Sequence, residues 1–163
     1  MSGLSPATEI RWGFIGAGKM ASALIRGMIR AGVASPSAIV ASDPIADARE
    51  RLQREGIQSF DSNVEVAEQS DVLVLAVKPQ AMNAALEELG GKGQGKLVVS
   101  VAAGISVSKL VESLGSEARV VRVMPNTPAL VGEGAAAYCL GPGVSSEDEA
   151  VVLQCLQSVG IAR

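Results

Sequence analysis

Three observations predict an α/β fold here, with a doubly wound, mainly parallel sheet of the Rossmann type and helices on both faces. Short apolar runs alternate with amphipathic segments along the chain. A Gly16-Ala17-Gly18 turn follows the first apolar run and opens the first helical segment. The hydrophobic content of 48% is carried by Ala, Val, Leu and Ile, with aromatics only 2%. Small and β-branched side chains suit strands buried on both faces, and β-α alternation leads to a parallel sheet with right-handed crossovers. Residues 1–163 read as one domain without an internal repeat or linker.

Each element has its own signal. Ile10 to Ile15 is a short apolar strand. Lys19 to Ala31 is a helix with Met20, Ala23, Leu24, Gly27 and Met28 inward and Gly32 where a C-cap belongs. Ile39 to Ser42 is a second strand, broken by Asp43-Pro44, and Ala46 to Glu55 is a charged amphipathic helix stopped by Gly56. Ile57 to Phe60 is a third strand, and Ser62 with Glu65 is a capping-box pair for a helix ending near Gln69. Val72 to Val77 is a continuous apolar run, as a central parallel strand requires, and Pro79 starts a helix reaching Leu89.

Beyond a Gly-rich loop from Gly90 to Gly95, expected to be mobile, Leu97 to Val101 is another buried strand and Ser106 caps a helix to Leu114. Arg119 to Met124 and Ala135 to Leu140 are the last strands. Ser146 with Glu149 reads as a second capping box, for a helix ending near Ser158. Val159-Gly160-Ile161 reads as the approach to a further element.

Composition removes several kinds of chemistry. Net charge is −3 with no basic run, so neither nucleic acid nor an anionic membrane is an expected partner. No apolar stretch is long enough to span a bilayer, and Met1 to Glu9 lacks the basic and apolar regions of a signal peptide. Cys139 and Cys155 read as two buried thiols of a reducing cytosol rather than a disulfide or metal site. The sequence contains no His, so a Ser-His-Asp triad and a His-ligated zinc cannot be built, and no metal is expected.

The residues that carry chemistry fall at the ends of the predicted strands, where open α/β sheets bind ligands. In Gly16-x-Gly18-x-x-Ala21 the first glycine permits a tight turn, the second lets backbone approach a pyrophosphate, and Ala21 keeps helix and strand close. A turn that only packs is the blander alternative. Ser42-Asp43 ends the second strand. A carboxylate there accepts hydrogen bonds from ribose hydroxyls and favours NADH, whereas Ser42, Arg49 and Arg51 would suit a 2′-phosphate; Asp43 also fits a plain turn before Pro44.

Ala76-Val77-Lys78-Pro79 ends the central run, with Lys78 either neutralising phosphate or merely solvated. Val101-Ala102-Ala103-Gly104 offers small side chains that leave room for a flat ring, or an ordinary tight loop. Met124-Pro125-Asn126-Thr127-Pro128 holds an amide and a hydroxyl between prolines, fit to bond a carboxamide or a carboxylate, or else a structural turn.

Together and in this order, Gly13-Phe14-Ile15-Gly16-Ala17-Gly18-Lys19-Met20-Ala21, Ser70-Asp71-Val72 with Ala76-Val77-Lys78-Pro79, Val121-Arg122-Val123-Met124-Pro125-Asn126-Thr127-Pro128 and Val131-Gly132-Glu133-Gly134 resemble the dinucleotide-binding domain of pyrroline-5-carboxylate reductases. The resemblance implies an NADPH- or NADH-dependent oxidoreductase that reduces 1-pyrroline-5-carboxylate to proline, the last step of proline biosynthesis. It places Ile15, Gly16, Ala17, Gly18, Lys19 and Met20 at the pyrophosphate and Asp43 at the adenosine ribose, with Ser42 beside it counted among the cofactor-binding residues. Asn63 then lies near the adenine; Ala76, Val77, Lys78, Pro79, Val101, Ala102 and Ala103 line the nicotinamide half; and Asn126 and Thr127 approach the reacting ring. Two departures stand out: Asp43 occupies a position where the family often has a residue suited to a 2′-phosphate, and the helical domain that carries substrate contacts and builds the homo-oligomer is expected to be absent from this chain. A 3-hydroxyacid-dehydrogenase-like reductase and a non-catalytic NAD(P)-sensing domain are the competing expectations.

Overall fold

The alternation of apolar runs and helices resolves into one sheet of eight strands in the order β3-β2-β1-β4-β5-β6-β7-β8. A computed structural model describes residues 9–163, so the expectation for Met1 to Glu9 lies, apart from Glu9, outside the described residues. The elements are β1 (Trp12–Ile15), α1 (Lys19–Arg30), β2 (Ile39–Ser42), α2 (Ala46–Arg54), β3 (Gln58–Phe60), α3 (Asn63–Glu68), β4 (Val72–Leu75) and α4 (Pro79–Leu89). They continue as β5 (Leu97–Ser100), α5 (Val107–Leu114), β6 (Arg119–Met124), β7 (Gly134–Leu140), α6 (Ser146–Gln157) and β8 (Gly160–Ala162). The strands from β3 to β6 are mutually parallel, with Trp12 opposite both Ile39 and Val72 and Leu97 opposite Arg119. The doubly wound, mainly parallel prediction is borne out.

Two-residue alternation sorts the strand side chains onto two faces. Trp12, Phe14, Val72, Val74, Leu97, Val99, Val121 and Val123 face one apolar layer, closed by Leu24, Ile25 and Met28 of α1, Leu52 of α2, and Val152 and Leu156 of α6. Ile15, Leu73, Leu75, Val98 and Val120 face the other, closed by Val66 of α3, Met82 and Leu86 of α4, and Leu110 and Leu114 of α5. Helices therefore cover both faces, and every residue of β1, β2, β4 and β5 is buried. Fully burying one such side chain contributes about 1.5–3 kcal/mol relative to exposure.

Several boundaries differ from the sequence reading. β4 stops at Leu75, because Ala76 leaves the strand after its N–H bonds the Ile15 carbonyl at 2.8 Å. The Gly-rich segment folds as a 3-10 turn, Gly90–Gly93, and Lys96 Nζ ties its far side to the Ser70 carbonyl. Ser62 caps α3, its Oγ accepting from Glu65 N at 3.3 Å, which is one half of the expected capping box.

The cap of α6 lies one residue earlier than expected. Ser145 Oγ accepts from Asp148 N at 3.0 Å, and Asp148 Oδ2 accepts from Ser145 N at 3.0 Å. Arg119 selects this register, because its Nε donates to the same carboxylate at 2.8 Å. Burial pushes the Asp148 carboxyl up, but the bonds from Arg119 and Ser145 outweigh it and hold it below the usual carboxylate value.

The last strands were the least anticipated. β7 runs antiparallel to β6, with Val123 opposite Tyr138, and β8 then adds parallel to β7. The approach read at Val159-Gly160-Ile161 is thus itself a strand. Among the described residues no helix is long and apolar enough to cross a membrane.

Candidate dinucleotide site at the carboxyl edge of the sheet

Parallel strands bring Ile15, Ser42, Leu75 and Ser100 to one edge in register, so the turns that follow them meet there. Gly16 makes the tightest of these turns. Its φ is +101°, and a Cβ at this position would lie 2.8 Å from the Ala76 carbonyl oxygen. Its N–H donates to the Ser42 carbonyl at 2.8 Å, so the turn is clamped between the ends of β2 and β4. Only glycine fits this combination of backbone and space.

Gly18 differs. A Cβ there would meet no atom within 4 Å. It is the N-cap of α1, no side chain caps that end, and no acidic residue stands in the first turn. Helix α1 thus presents uncapped N–H groups and its positive end beside an open space, as an anion site requires. Ala21 is fully buried, so α1 sits close against β1. Among the residues assigned to the pyrophosphate, Ile15 and Ala17 are buried and offer backbone only, while Lys19 is exposed and Met20 half-buried.

Asp43 does more than end a strand. Its Oδ2 accepts from Ala17 N at 2.9 Å and its Oδ1 from Ile45 N at 2.9 Å. Arg49 Nη1 donates to the Asp43 carbonyl at 2.8 Å. The carboxylate therefore ties the glycine turn to the start of α2.

Ser42 is fully buried, and its Oγ donates to Asn63 Oδ1 at 2.6 Å. Asn63 in turn donates through N and Nδ2 to the two oxygens of Glu88, at 2.9 and 2.8 Å. Ser42 and Asn63, read separately, are one network that fixes the Asn63 amide, and Glu88 of α4 was missed. A glutamate 25 residues from its partner gives no local signal.

Among the residues expected on the nicotinamide half, Ala76 and Val77 are half-buried and Lys78 and Pro79 exposed, with Lys78 as N-cap and Pro79 opening α4. Val101 is half-buried, Ala102 buried and Ala103 exposed. Asn126 and Thr127 are exposed at the start of a 3-10 turn, Thr127–Val131, and Asn126 Oδ1 accepts from Ala135 N at 2.9 Å. That bond uses the acceptor end of the amide to hold β7 against the loop.

Ser100 and Arg122, opposite each other on β5 and β6, were also missed. Ser100 Oγ and Arg122 Nε are buried without a hydrogen-bond partner among the described residues. The signal was an arginine among valines in Val120-Val121-Arg122-Val123, read as strand and as part of the resembling motif but not as a site residue. A cleft of about 410 Å³ lined by Asn83, Glu87, Lys109 and Ser113 lies between the far ends of α4 and α5, away from this edge.

A doubly wound sheet with a clamped glycine turn and an uncapped first helix defines a Rossmann-type dinucleotide-fold domain. The chain belongs to the NADP oxidoreductase, coenzyme F420-dependent family, whose model matches residues 11–104. It is 43% identical over 157 residues to pyrroline-5-carboxylate reductase of Arabidopsis thaliana, covering 95% of this chain and 56% of that protein. Among solved structures, a pyrroline-5-carboxylate reductase from Coxiella burnetii superposes with a TM-score of 0.90 at 30% identity, covering 95% of this chain and 58% of that one. Plasmodium falciparum pyrroline carboxylate reductase with NADP bound superposes at 0.83 with 35% identity, covering 94% and 56%. The resemblance drawn from the strand-end motifs is borne out, and the chain spans about half the length of the relatives it matches.

Proposed function

We propose that this chain, as one domain over residues 1–163, supplies the cofactor-binding half of an NAD(P)H-dependent reductase acting on 1-pyrroline-5-carboxylate. The observation that carries the reading is the open space beside Gly18, at the uncapped positive end of α1. The similarity to pyrroline-5-carboxylate reductases over more than nine-tenths of the chain supports the reaction. Its reach is the cytoplasmic synthesis of proline, with a second, helical half completing the substrate site and the oligomer.

In this reading the backbone from Ile15 to Met20 binds the pyrophosphate, with Gly16 holding the turn and Gly18 leaving room for it. Asp43 meets the adenosine ribose, and the Ser42-Asn63-Glu88 network sets the adenine side. Ala76 to Pro79 and Val101 to Ala103 flank the nicotinamide, which when bound supplies hydride to the C=N carbon. Asn126 Nδ2 and the Thr127 hydroxyl orient the ring or the substrate. A protonated imine is already electrophilic, so positioning outweighs acid catalysis, and the absence of His from the sequence is no obstacle.

Calorimetric titration of the chain with NADH and NADPH, beside an assay for proline formation, tests the reading. Saturable binding of at least one cofactor with little turnover is expected. Binding of neither overturns the dinucleotide site, and robust turnover by this chain alone overturns its role as half of a site.

A further inference from the structure

We infer that Asp43 makes this domain select NADH over NADPH, and that it does so because its carboxylate is locked in place. The inference rests on the dinucleotide reading above and goes beyond it by naming the cofactor. A surface carboxylate could rotate away from a 2′-phosphate. Asp43 cannot do so without releasing Ala17 N and Ile45 N, each held at 2.9 Å, and so loosening the turn that the pyrophosphate needs.

Among the described residues the Asp43 carboxylate has no ion-pair partner. Arg49 donates through Nη1 to the main-chain carbonyl of Asp43 rather than to its carboxylate, and keeps its own charge and remaining donors. Arg51 leans along its own helix toward the Asp47 carbonyl, and lines a groove of about 200 Å³ with Lys19, Ser22 and Arg26 on the outer face of α1. Each carboxylate oxygen keeps a second acceptor position after bonding one N–H. A ribose diol can therefore be accepted with the clamp intact, whereas a 2′-phosphate meets a fixed like charge. The geometry thus favours NADH, unlike the Plasmodium falciparum relative solved with NADP.

The test compares dissociation constants of NADH, NADPH and 2′-deoxy-NADH for the full chain and for Asp43→Ser and Asp43→Asn. Hydrogen bonds to a charged acceptor set the scale at roughly 10-fold or more. The native chain is expected to bind NADH at least about 10-fold more tightly than NADPH or 2′-deoxy-NADH. Both variants should shift the NADPH-to-NADH ratio toward NADPH by a similar factor, and Asp43→Asn, which keeps one acceptor for the clamp, should retain more total affinity.

Equal or tighter NADPH binding by the native chain overturns the inference while leaving the dinucleotide site standing. An unchanged ratio in the variants, with both affinities falling together, reduces Asp43 to a structural clamp and also overturns it. Binding of no nucleotide by the native chain removes the reading beneath it. If Asp43→Ser fails to fold, the 2′-deoxy comparison on the native chain still decides.

Discussion

The sheet from β3 to β5 and the sheet from β6 to β8 are built from the same kind of chain but finished differently. In the first region, helices close both faces, and runs such as Val72-Leu73-Val74-Leu75 are buried at every position. In the second, α5 still covers Val120 of β6, but on β7 and β8 only the face that carries Ala136, Tyr138 and Ala162 packs on an apolar layer. The opposite face, with Ala135, Ala137 and Cys139 on β7, remains exposed, and so do the register partners Met124 and Ile161, at 53% and 63%. Strand pairing alone does not make a core. The first region holds the glycine turn rigidly because apolar layers press on it from both sides, whereas the second presents its loops on a half-covered support.

Breaking the first region at its tightest point should have the largest effect. Gly16→Val places a β-branched residue at φ +101° with its Cβ 2.8 Å from a backbone oxygen. Backbone strain alone costs about 1–3 kcal/mol, and the clash adds to it. Nucleotide binding by calorimetry should vanish, and the urea midpoint should fall.

A matched pair then measures the difference in burial. Leu73→Ala, in a fully buried position of β4, should destabilise by about 2–5 kcal/mol in urea unfolding. Ile161→Ala, on the bare face of β8, should stay within about 0.5 kcal/mol. Similar losses at the two sites would show that the second face is covered in solution.

The smallest effect needs no mutation. Cys155 lies on the buried face of α6, and burial pushes its thiol up to about 12, while Cys139, expected to be buried too, is exposed on the uncovered face of β7. A thiol reagent at neutral pH should label Cys139 rapidly and Cys155 only as fast as the protein opens. Equal rates would place Cys155 outside the closed layer.

How far the sequence could be read follows the same divide. β1, β2, β4 and β5 were legible because burial on both faces leaves continuous apolar runs, and the short edge strand β3 was legible from its bounds, Gly56 before it and the Ser62 cap after it. β7 was placed as a strand, but nothing local in Gly-Ala-Ala-Ala-Tyr-Cys-Leu says that it runs antiparallel. The cap of α6 was misplaced by one residue because Ser145 and Ser146 each have an acid three positions on, and only Arg119, on a distant strand, chooses between them. At the site, Gly16, Gly18 and Asp43 announced themselves by type and position, while Glu88 and the unpartnered Ser100 and Arg122 did not.

The sequence by itself determined the alternation of strands and helices, the glycine turn after β1, and the residues that cluster at strand ends. These depend on short-range periodicity and on which backbones glycine and proline allow. Only the tertiary structure decided that the Asp43 carboxylate is clamped by Ala17 and Ile45, that Ser42 and Asn63 answer to Glu88, and that one face of β7 and β8 lies bare. Those facts depend on which groups meet across the sheet, and a hydrogen bond between residues far apart in the chain leaves no period for a sequence to show.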